Sequence, residues 1–145
     1  MPEQETLEKA EEDKEEGKAA STQAGEFVRE EIEHVREGKH GARSTKQAIA
    51  IGLSKARRAG VDLPPPETGS KRTRRQAARD LKKGKKKSAK KSAKRSRATS
   101  RALKREGRSA ASKRALSRQA RSAARKRSAA SRSRSAKKAA RTRKK

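Results

Sequence analysis

The side chains that could do catalytic or metal chemistry in this sequence are few. Cysteine is absent, and His34 and His40 are the two histidines. With no thiolates and no carboxylates set around the histidines by a recognisable spacing, the pattern predicts no metal site and no cofactor. Serine is plentiful, but no Gly-x-Ser-x-Gly elbow with a matching base is present. The residue types therefore predict a protein that is not an enzyme.

Phosphate binding is the chemistry for which the sequence has abundant residues. The chain has 45 lysines and arginines against 17 acids, a net charge of +28. Residues 1–37 carry 13 acids and 5 bases, whereas residues 64–145, the basic half of the chain, carry 34 bases and 3 acids. A block of like charge this large repels itself and attracts a polyanion, and nucleic acids are the abundant cellular polyanions. The candidate phosphate-binding residues are Lys39, Arg43, Lys46, Lys55, Arg57, Arg58, Lys71, Arg72, Arg74, Arg75, Lys82, Lys83, Lys85, Lys86, Lys87, Lys90, Lys91, Lys94, Arg95, Arg97, Arg125, Lys126 and Arg127.

The loop at residues 39–43, which reads KHGAR, is a second candidate for phosphate binding. Glycines let the backbone turn there, and a helix is predicted to begin directly after it. Free N–H groups and the positive end of the helix dipole would then face an anion. The alternative is an ordinary connection between helices whose charges are solvated. A Walker loop is absent, so nucleotide hydrolysis is not expected.

Two predicted amphipathic helices flank this loop. The first, at residues 22–37, carries one apolar stripe at helical spacing, and Ser21 or Thr22 is predicted to cap its start. Gly38 is placed to end it in the left-handed conformation.

The second predicted helix covers residues 44–59. It begins with Ser-x-x-Gln, a capping box with Ser44 at the N-cap, and Gly60 stands where a left-handed C-terminal cap is expected. Ile51 lies nearly opposite the apolar face of this helix, which predicts that the helix contacts two surfaces. Either the N-terminal helix or another protein chain would cover Ile51.

The rest of the chain is organised by charge. Residues 1–20 predict an acidic N-terminal helix or arm exposed to solvent, residues 21–62 a helical hairpin core, and residues 63–70 a Pro-rich linker. Residues 71–145 are rich in Lys, Arg, Ser and Ala and have three large apolar side chains. So little apolar surface cannot offset a chain entropy of about 1–2 kcal/mol per residue, so this segment is predicted to be disordered when free.

Membrane and export signals are absent from the pattern. No run approaches the roughly 20 apolar residues that span a bilayer, and the N-terminus lacks the apolar centre of a signal peptide. The expectation is a soluble cytoplasmic protein with no membrane partner.

Residues 21–60, which read STQAGEFVREEIEHVREGKHGARSTKQAIAIGLSKARRAG, resemble a family of small bacterial proteins of unknown function. These share a GKHG-x-RS-x-KQAIAIGLS-x-ARR-x-G core followed by Pro-rich and basic sequence. The resemblance implies a bacterial origin and brings no activity or catalytic residues. The basic half is similar in composition to linker-histone tails and to bacterial histone-like proteins.

Together these features predict an all-α protein, in which a small helical hairpin at about 22–60 has an exposed N-terminal helix and a long, mostly disordered basic tail. The expected function is histone-like binding and condensation of DNA in the bacterial nucleoid, through phosphate contacts with little sequence specificity. Two alternatives stay open: an RNA- or ribosome-associated protein, and a protein-interaction module whose tail only localises it. A homodimer or a protein partner through the hairpin is also possible. The acidic N-terminus could fold back on the basic half and compete with nucleic acid.

Overall fold

The computed structural model describes residues 1–86 and 92–144. In these residues the chain forms seven α-helices and one 3₁₀ turn, with no β-strand. In chain order they are α1 (Gln4–Glu15), α2 (Ala20–Glu37), α3 (Thr45–Ala59), α4 (Lys71–Lys85), α5 (Ala93–Lys104), the 3₁₀ turn (Ser109–Ala111), α6 (Lys113–Lys126) and α7 (Ala129–Arg143).

The centre of the fold is the pair α2 and α3, which pack closely because α3 has a glycine at the contact. A Cβ added at Gly52 would lie 2.6 Å from the Cα of Val28, so the two backbones touch directly. The predicted ends are confirmed: Gly38 and Gly60 are left-handed caps, and the Ser44 side chain accepts the N–H of Gln47. These signals could be read because each depends on residues a few positions apart.

The start of α2 differs from the prediction. The helix begins at Ala20, and its N-cap Ala19 makes no side-chain hydrogen bond. Ser21 and Thr22, predicted as alternative caps, lie inside the first turn. Alanine has the highest helix propensity, which favours the earlier start.

The N-terminal helix α1 is packed, not exposed as predicted. Ala10 is buried in one cluster with Phe27 of α2 and Ala56 of α3, and Leu7 packs against it. Glu5 and Lys9 form an i,i+4 ion pair on the surface of this helix. The prediction counted large apolar residues, but α1 docks through a small one, alanine.

The first helix of the basic half, α4, is held on α3 by a buried carboxylate. Asp80 is 1% exposed, and it accepts hydrogen bonds from Ser54 Oγ at 2.7 Å, Arg58 Nε at 2.8 Å and Gln76 Nε2 at 3.1 Å. Burial acts to raise the pKa of Asp80, but these hydrogen bonds outweigh it and lower the pKa below its ordinary value. Close contact continues at Gly84, where a Cβ would lie 2.0 Å from the carbonyl oxygen of Arg57.

This docking accounts for the two-sided character of α3. Ile51 is half-buried and stands at helical spacing from Ser54 and Arg58, the residues that face α4. The second face of α3 therefore packs within the chain and does not require a second copy.

A second anchor joins the basic half to the core through the 3₁₀ turn. Ala110 and Ala111 are buried in a cluster with Ile32 and Val35 of α2, and Leu116 of α6 packs against them. Hydrogen bonds fix the backbone of this turn. Thr45 Oγ1 donates to the Ala110 carbonyl at 2.6 Å and Arg36 Nε donates to that of Ala111 at 2.9 Å.

The predicted hairpin with a long disordered tail is thus wrong. Residues 71–86 and 92–144 are largely helical, and two parts of them enter the core. Lys, Arg and Ala are all good helix formers. Buried alanines supply apolar contacts that a count of large side chains misses.

Serines at the helix starts explain where the basic half is divided. Ser70, Ser92, Ser112 and Ser128 are the N-caps of α4, α5, α6 and α7, and each side chain accepts the N–H of the residue three positions on. A serine cap contributes typically about 1 kcal/mol relative to alanine. The low-complexity sequence therefore contains N-cap residues that mark the helix starts, and its composition alone does not show them.

Candidate nucleic-acid interface

An open groove of about 610 Å³ lies between the first turns of α3 and α6. Its charged lining residues are all basic. Arg43 directly precedes the N-cap of α3, Lys46 lies in the first turn of α3, and Arg114 and Arg118 lie in α6. Among the described residues, none of these four side chains is in an ion pair or a side-chain hydrogen bond. The α3–α6 groove therefore presents uncompensated positive charge.

The backbone adds to the positive potential of this groove. Ser44 and Ser112, the N-caps of α3 and α6, both line it, so the positive ends of two helix dipoles open onto the same space. The 3₁₀ turn before α6 brings these ends together, since its alanines are anchored beside α2 and α3. An anion in the groove would meet four cationic side chains and two helix starts.

The structure uses the loop at residues 39–43 differently from the prediction of a free phosphate site. The N–H of Gly41 donates to the Leu103 carbonyl at 2.9 Å, and the N–H of Ala42 donates to that of Gly107 at 3.0 Å. A Cβ at Gly41 would lie 1.9 Å from the Glu106 carbonyl oxygen. This loop thus holds the segment between α5 and the 3₁₀ turn, and its two N–H groups are occupied.

Most predicted phosphate-binding residues of the basic half lie on exposed helical surface. They do not converge on one site but follow the outside of α4, α5 and the end of α6. α5 and α7 bury no residue at all. The exposed residues are Lys71, Arg72, Arg74, Arg75, Lys82, Lys83, Lys85, Lys86, Lys94, Arg95, Arg97, Arg125, Lys126 and Arg127.

Three of these exposed residues have side-chain partners in the described structure. Arg97 Nε donates to the Ala93 carbonyl at 3.3 Å within α5. Lys85 Nζ lies 3.6 Å from Asp62, and the Arg127 guanidinium donates to Ser131 and Ser135. Lys87, Lys90 and Lys91 lie outside the described residues.

Lys39 and Lys55 are occupied by acids of the N-terminal part. Lys39 pairs with Glu3 at 3.0 Å, and its hydrogen bonds to Glu3 and Glu37 raise its pKa. Lys55 lies between the buried carboxylates of Glu30 and Glu31.

The two predicted arginines of α3 are structural. Arg57 is 7% exposed and donates to the carbonyls of Leu63 and Pro64, which fixes the start of the Pro-rich segment. Burial lowers the pKa of the Arg57 guanidinium, while the charge of Asp80 acts in the opposite direction. Arg58 is paired with Asp80.

Sequence reasoning did not single out Arg114 and Arg118, the α6 side of the groove. Their signal is local: both follow the serine cap of α6 and stand one turn apart on one face of that helix. No local sequence pattern shows that Arg114 and Arg118 lie close to Arg43 and Lys46. That proximity depends on the burial of Ala110 and Ala111.

In the part of the chain that the structure describes, the acidic N-terminal part is not paired with the basic half. Within the described residues, the carboxylates of positions 1–37 pair with bases no further along the chain than Lys55. The predicted folding back of this segment thus has no contact in the described structure.

Residues 8–67 match the model of a family of unknown function (DUF6496). The match begins within α1 and ends in the Pro-rich stretch after α3, so α4 to α7 lie outside it. This agrees with the resemblance to proteins of unknown function, and no activity comes with it. No curated protein and no solved structure matches the chain.

Membrane insertion through a helix has no candidate in the part of the chain that the structure describes. No helix there combines the length and the apolar character needed to cross a bilayer.

Proposed function

We propose that this protein is a non-enzymatic, histone-like nucleic-acid-binding protein that neutralises and condenses DNA through contacts with backbone phosphates. The observation that carries the proposal is the state of the cations in the basic half. Between residues 92 and 144 no lysine or arginine lies within ion-pair distance of a described carboxylate. A surface of helices with so many uncompensated cations is complementary to the charge density of a duplex.

The exposure of the helices supports condensation as well as binding. α5 and α7 bury no residue, so their cations point to several sides of each helix. A helix with cations around its circumference can neutralise phosphates of two neighbouring duplex segments at once. The basic half contains no Phe, Tyr or Trp, so it offers no aromatic platform for stacking single-stranded bases.

The α3–α6 groove is proposed as the preferred phosphate contact. The two helix starts that carry its four cations are held by the core, so little backbone freedom is lost on binding. Contacts of this kind position a protein on the backbone without reading base sequence. The proposed location is accordingly the bacterial nucleoid. The linker-histone-like composition of the basic half agrees with such a role.

Salt dependence of duplex binding tests the mechanism. The full chain is titrated against a fluorescent duplex of about 30 base pairs between about 0.05 and 0.3 M salt. If about ten phosphates are contacted, the log–log slope of the binding constant is expected to be about −9. A slope near zero would contradict the mechanism, and preferential binding of a structured-RNA competitor would favour RNA as the ligand.

Two variants of equal charge test the role of the groove. The groove variant carries Arg43→Gln, Lys46→Gln, Arg114→Gln and Arg118→Gln. The control variant removes four exposed cations of α7 through Lys137→Gln, Lys138→Gln, Arg141→Gln and Arg143→Gln. We expect the groove variant to lose at least about tenfold more affinity, equivalent to about 1.4 kcal/mol. Equal losses would show that net charge decides binding and that the groove is not preferred.

A further inference from the structure

The chain's two histidines lie together beside a buried carboxylate. One ring nitrogen of each histidine and a carboxylate oxygen of Glu31 lie within 4.8 Å of one another. Glu31 and His34 stand one turn apart on α2, and the left-handed cap at Gly38 turns the chain so that His40 returns to them. The rings of His34 and His40 meet edge to face with centroids 6.1 Å apart. Sequence spacing did not reveal this cluster because it depends on that turn.

The hydrogen bonds of His40 call for a cation between it and Glu31. Nδ1 lies 3.0 Å from the Gly41 carbonyl oxygen, which can only accept, so Nδ1 carries the proton of the neutral ring. Nε2 then carries no proton, and it lies 3.0 Å from Oε1 of Glu31, another acceptor. Two acceptors this close repel each other unless a proton or a metal ion lies beside them.

His34 is held in the same manner. Its Nε2 lies 2.9 Å from Oε1 of Glu3, so in the neutral ring Nε2 donates to that carboxylate and Nδ1 keeps its lone pair. Oε1 of Glu30 lies 3.9 Å from Nδ1, which is too far for a hydrogen bond. A histidine that donates one N–H to a carboxylate and leaves the other nitrogen free has the usual arrangement of a metal-bound histidine.

Glu31 is buried and incompletely satisfied. Its side chain is 1% exposed, and Oε2 has no hydrogen-bond partner of acceptable geometry. Lys55 Nζ lies 2.6 Å from this oxygen, so the charge is paired although the direction is poor for a hydrogen bond. A buried carboxylate of this kind gains from a further cation on its free side.

The charge of the cluster leaves room for a divalent ion. Four carboxylates, from Glu3, Glu30, Glu31 and Glu37, face the ammonium groups of Lys39 and Lys55. With both imidazoles neutral, these four acids and two bases have a net charge of −2, which a divalent ion would neutralise.

From this geometry we propose that Glu31, His34 and His40 bind a divalent transition-metal ion of the Zn²⁺ class. Two imidazole nitrogens and one carboxylate oxygen are an established zinc ligand set, which leaves a fourth position for water. Ligand atoms about 2.0–2.1 Å from a tetrahedral ion are about 3.3 Å apart, so the side chains must close by up to about 1.5 Å. The ion would fasten the turn after α2, next to the loop that holds the segment between α5 and the 3₁₀ turn.

The composition of the chain makes the test specific. Since the protein has no cysteine and only these two histidines, any imidazole-ligated metal signal must arise here. Chelator-treated full-length protein is titrated with Co²⁺, read by its visible absorption, and with Zn²⁺ in competition with a chromophoric chelator. We expect one ion per chain, a dissociation constant of about a micromolar or lower, and the intense absorption of tetrahedral Co²⁺.

Matched variants separate this site from the other acids of the N-terminal part. Glu31→Gln, His34→Gln and His40→Gln are each expected to weaken Zn²⁺ binding by about 100-fold or more. Glu33→Gln is the control, because Glu33 is an exposed acid on the same helix that pairs with Arg29, and its affinity should be unchanged. Equal affinity in the wild type and the histidine variants would overturn the proposal, as would the absence of binding to the folded wild type.

Nitrogen NMR of the wild type covers the case of a variant that fails to fold. Addition of Zn²⁺ should shift one ring nitrogen of each histidine to the range of a metal-bound nitrogen. If both nitrogens of His40 carry protons at neutral pH and Zn²⁺ leaves them unchanged, the cation beside Glu31 is a proton and the metal site is refuted.

Discussion

Replacing Asp80 by asparagine should release α4 from α3. The carboxylate is 1% exposed and accepts from Ser54, Arg58 and Gln76. Asparagine keeps the size of the side chain but removes the charge, and one of its two terminal atoms becomes a donor that faces other donors. The perturbation therefore tests the polar contact with little change in packing.

The expected loss follows from which partners can return to water. A hydrogen bond to a charged group contributes about 1.5–3 kcal/mol, and breaking a fully buried ion pair costs about 3–5 kcal/mol. Arg58 has a side chain that is 48% exposed, and Gln76 is also exposed, so both can be rehydrated when the carboxylate is lost. The free energy that holds α4 in place should therefore fall by about 2 kcal/mol, below the range for a buried pair.

Hydrogen exchange of the α4 amides is the appropriate assay, because α4 can open without unfolding the core. A loss of about 2 kcal/mol should speed exchange in α4 by about 30-fold, with a smaller change in α2. Glu67→Gln makes the same change of charge at an exposed position and should leave exchange in α4 unaltered. If Asp80→Asn and Glu67→Gln gave the same exchange rates, the buried carboxylate would not be what holds α4.

The same contact predicts a pH dependence. The pKa of Asp80 is lower in the folded protein than its ordinary value of 3.8, so folding is favoured by its ionised form. This contribution is complete above about pH 5 and is lost as the pH falls below 3.8 towards the folded pKa. The difference in α4 exchange between wild type and Asp80→Asn should therefore shrink in acid.

Two further substitutions test the packing of α2 against α3 and the N-cap of α6, and each has a control substitution of the same type. Gly52→Ala places a methyl group against the α2 backbone and should lower the free energy of unfolding, measured by urea denaturation, by about 1–3 kcal/mol. The control Gly25→Ala has open space around the added methyl group and should stabilise α2 by up to about 1 kcal/mol. Similar effects at both sites would contradict the close contact between α2 and α3. Ser112→Ala removes the cap of α6 and should cost about 1 kcal/mol, seen as faster amide exchange in its first turn, while Ser117→Ala on the exposed face of α6 should change little.

Local features of the fold could be predicted from the sequence, and contacts between distant segments could not. Gly38, Ser44 and Gly60 act at the ends of their own helices, and patterns a few residues long contain that information. Asp80 and Ala110 gave no such signal, because an acid in a basic run and an alanine in an alanine-rich run look ordinary. Their importance arises only when the fold brings them to α3, where Asp80 meets Arg58 22 positions away and Ala110 meets Thr45 65 positions away.

Within the candidate site, too, single residues could be predicted from the sequence but contacts between segments could not. The cations of the basic half could be identified from the sequence because the charge of a lysine or an arginine is evident from its residue type alone. Arg57 and Arg58 were predicted as phosphate ligands, yet the fold uses them to hold the Pro-rich segment and α4. The histidine cluster was missed because His34 and His40 meet only after Gly38 reverses the chain.

The effect of the cations on DNA binding should therefore be separable from the effect of packing α4 and the 3₁₀ turn against the core. Under the proposed function, the exposed cations would determine the number of phosphates contacted, whereas α4 and the 3₁₀ turn determine how those cations are held relative to one another. Asp80→Asn removes no cation, so it should leave the salt slope of DNA binding nearly unchanged even where α4 is released. If binding lost its salt slope in this variant, the docked geometry, and not the charge of the helices, would be what engages the phosphates.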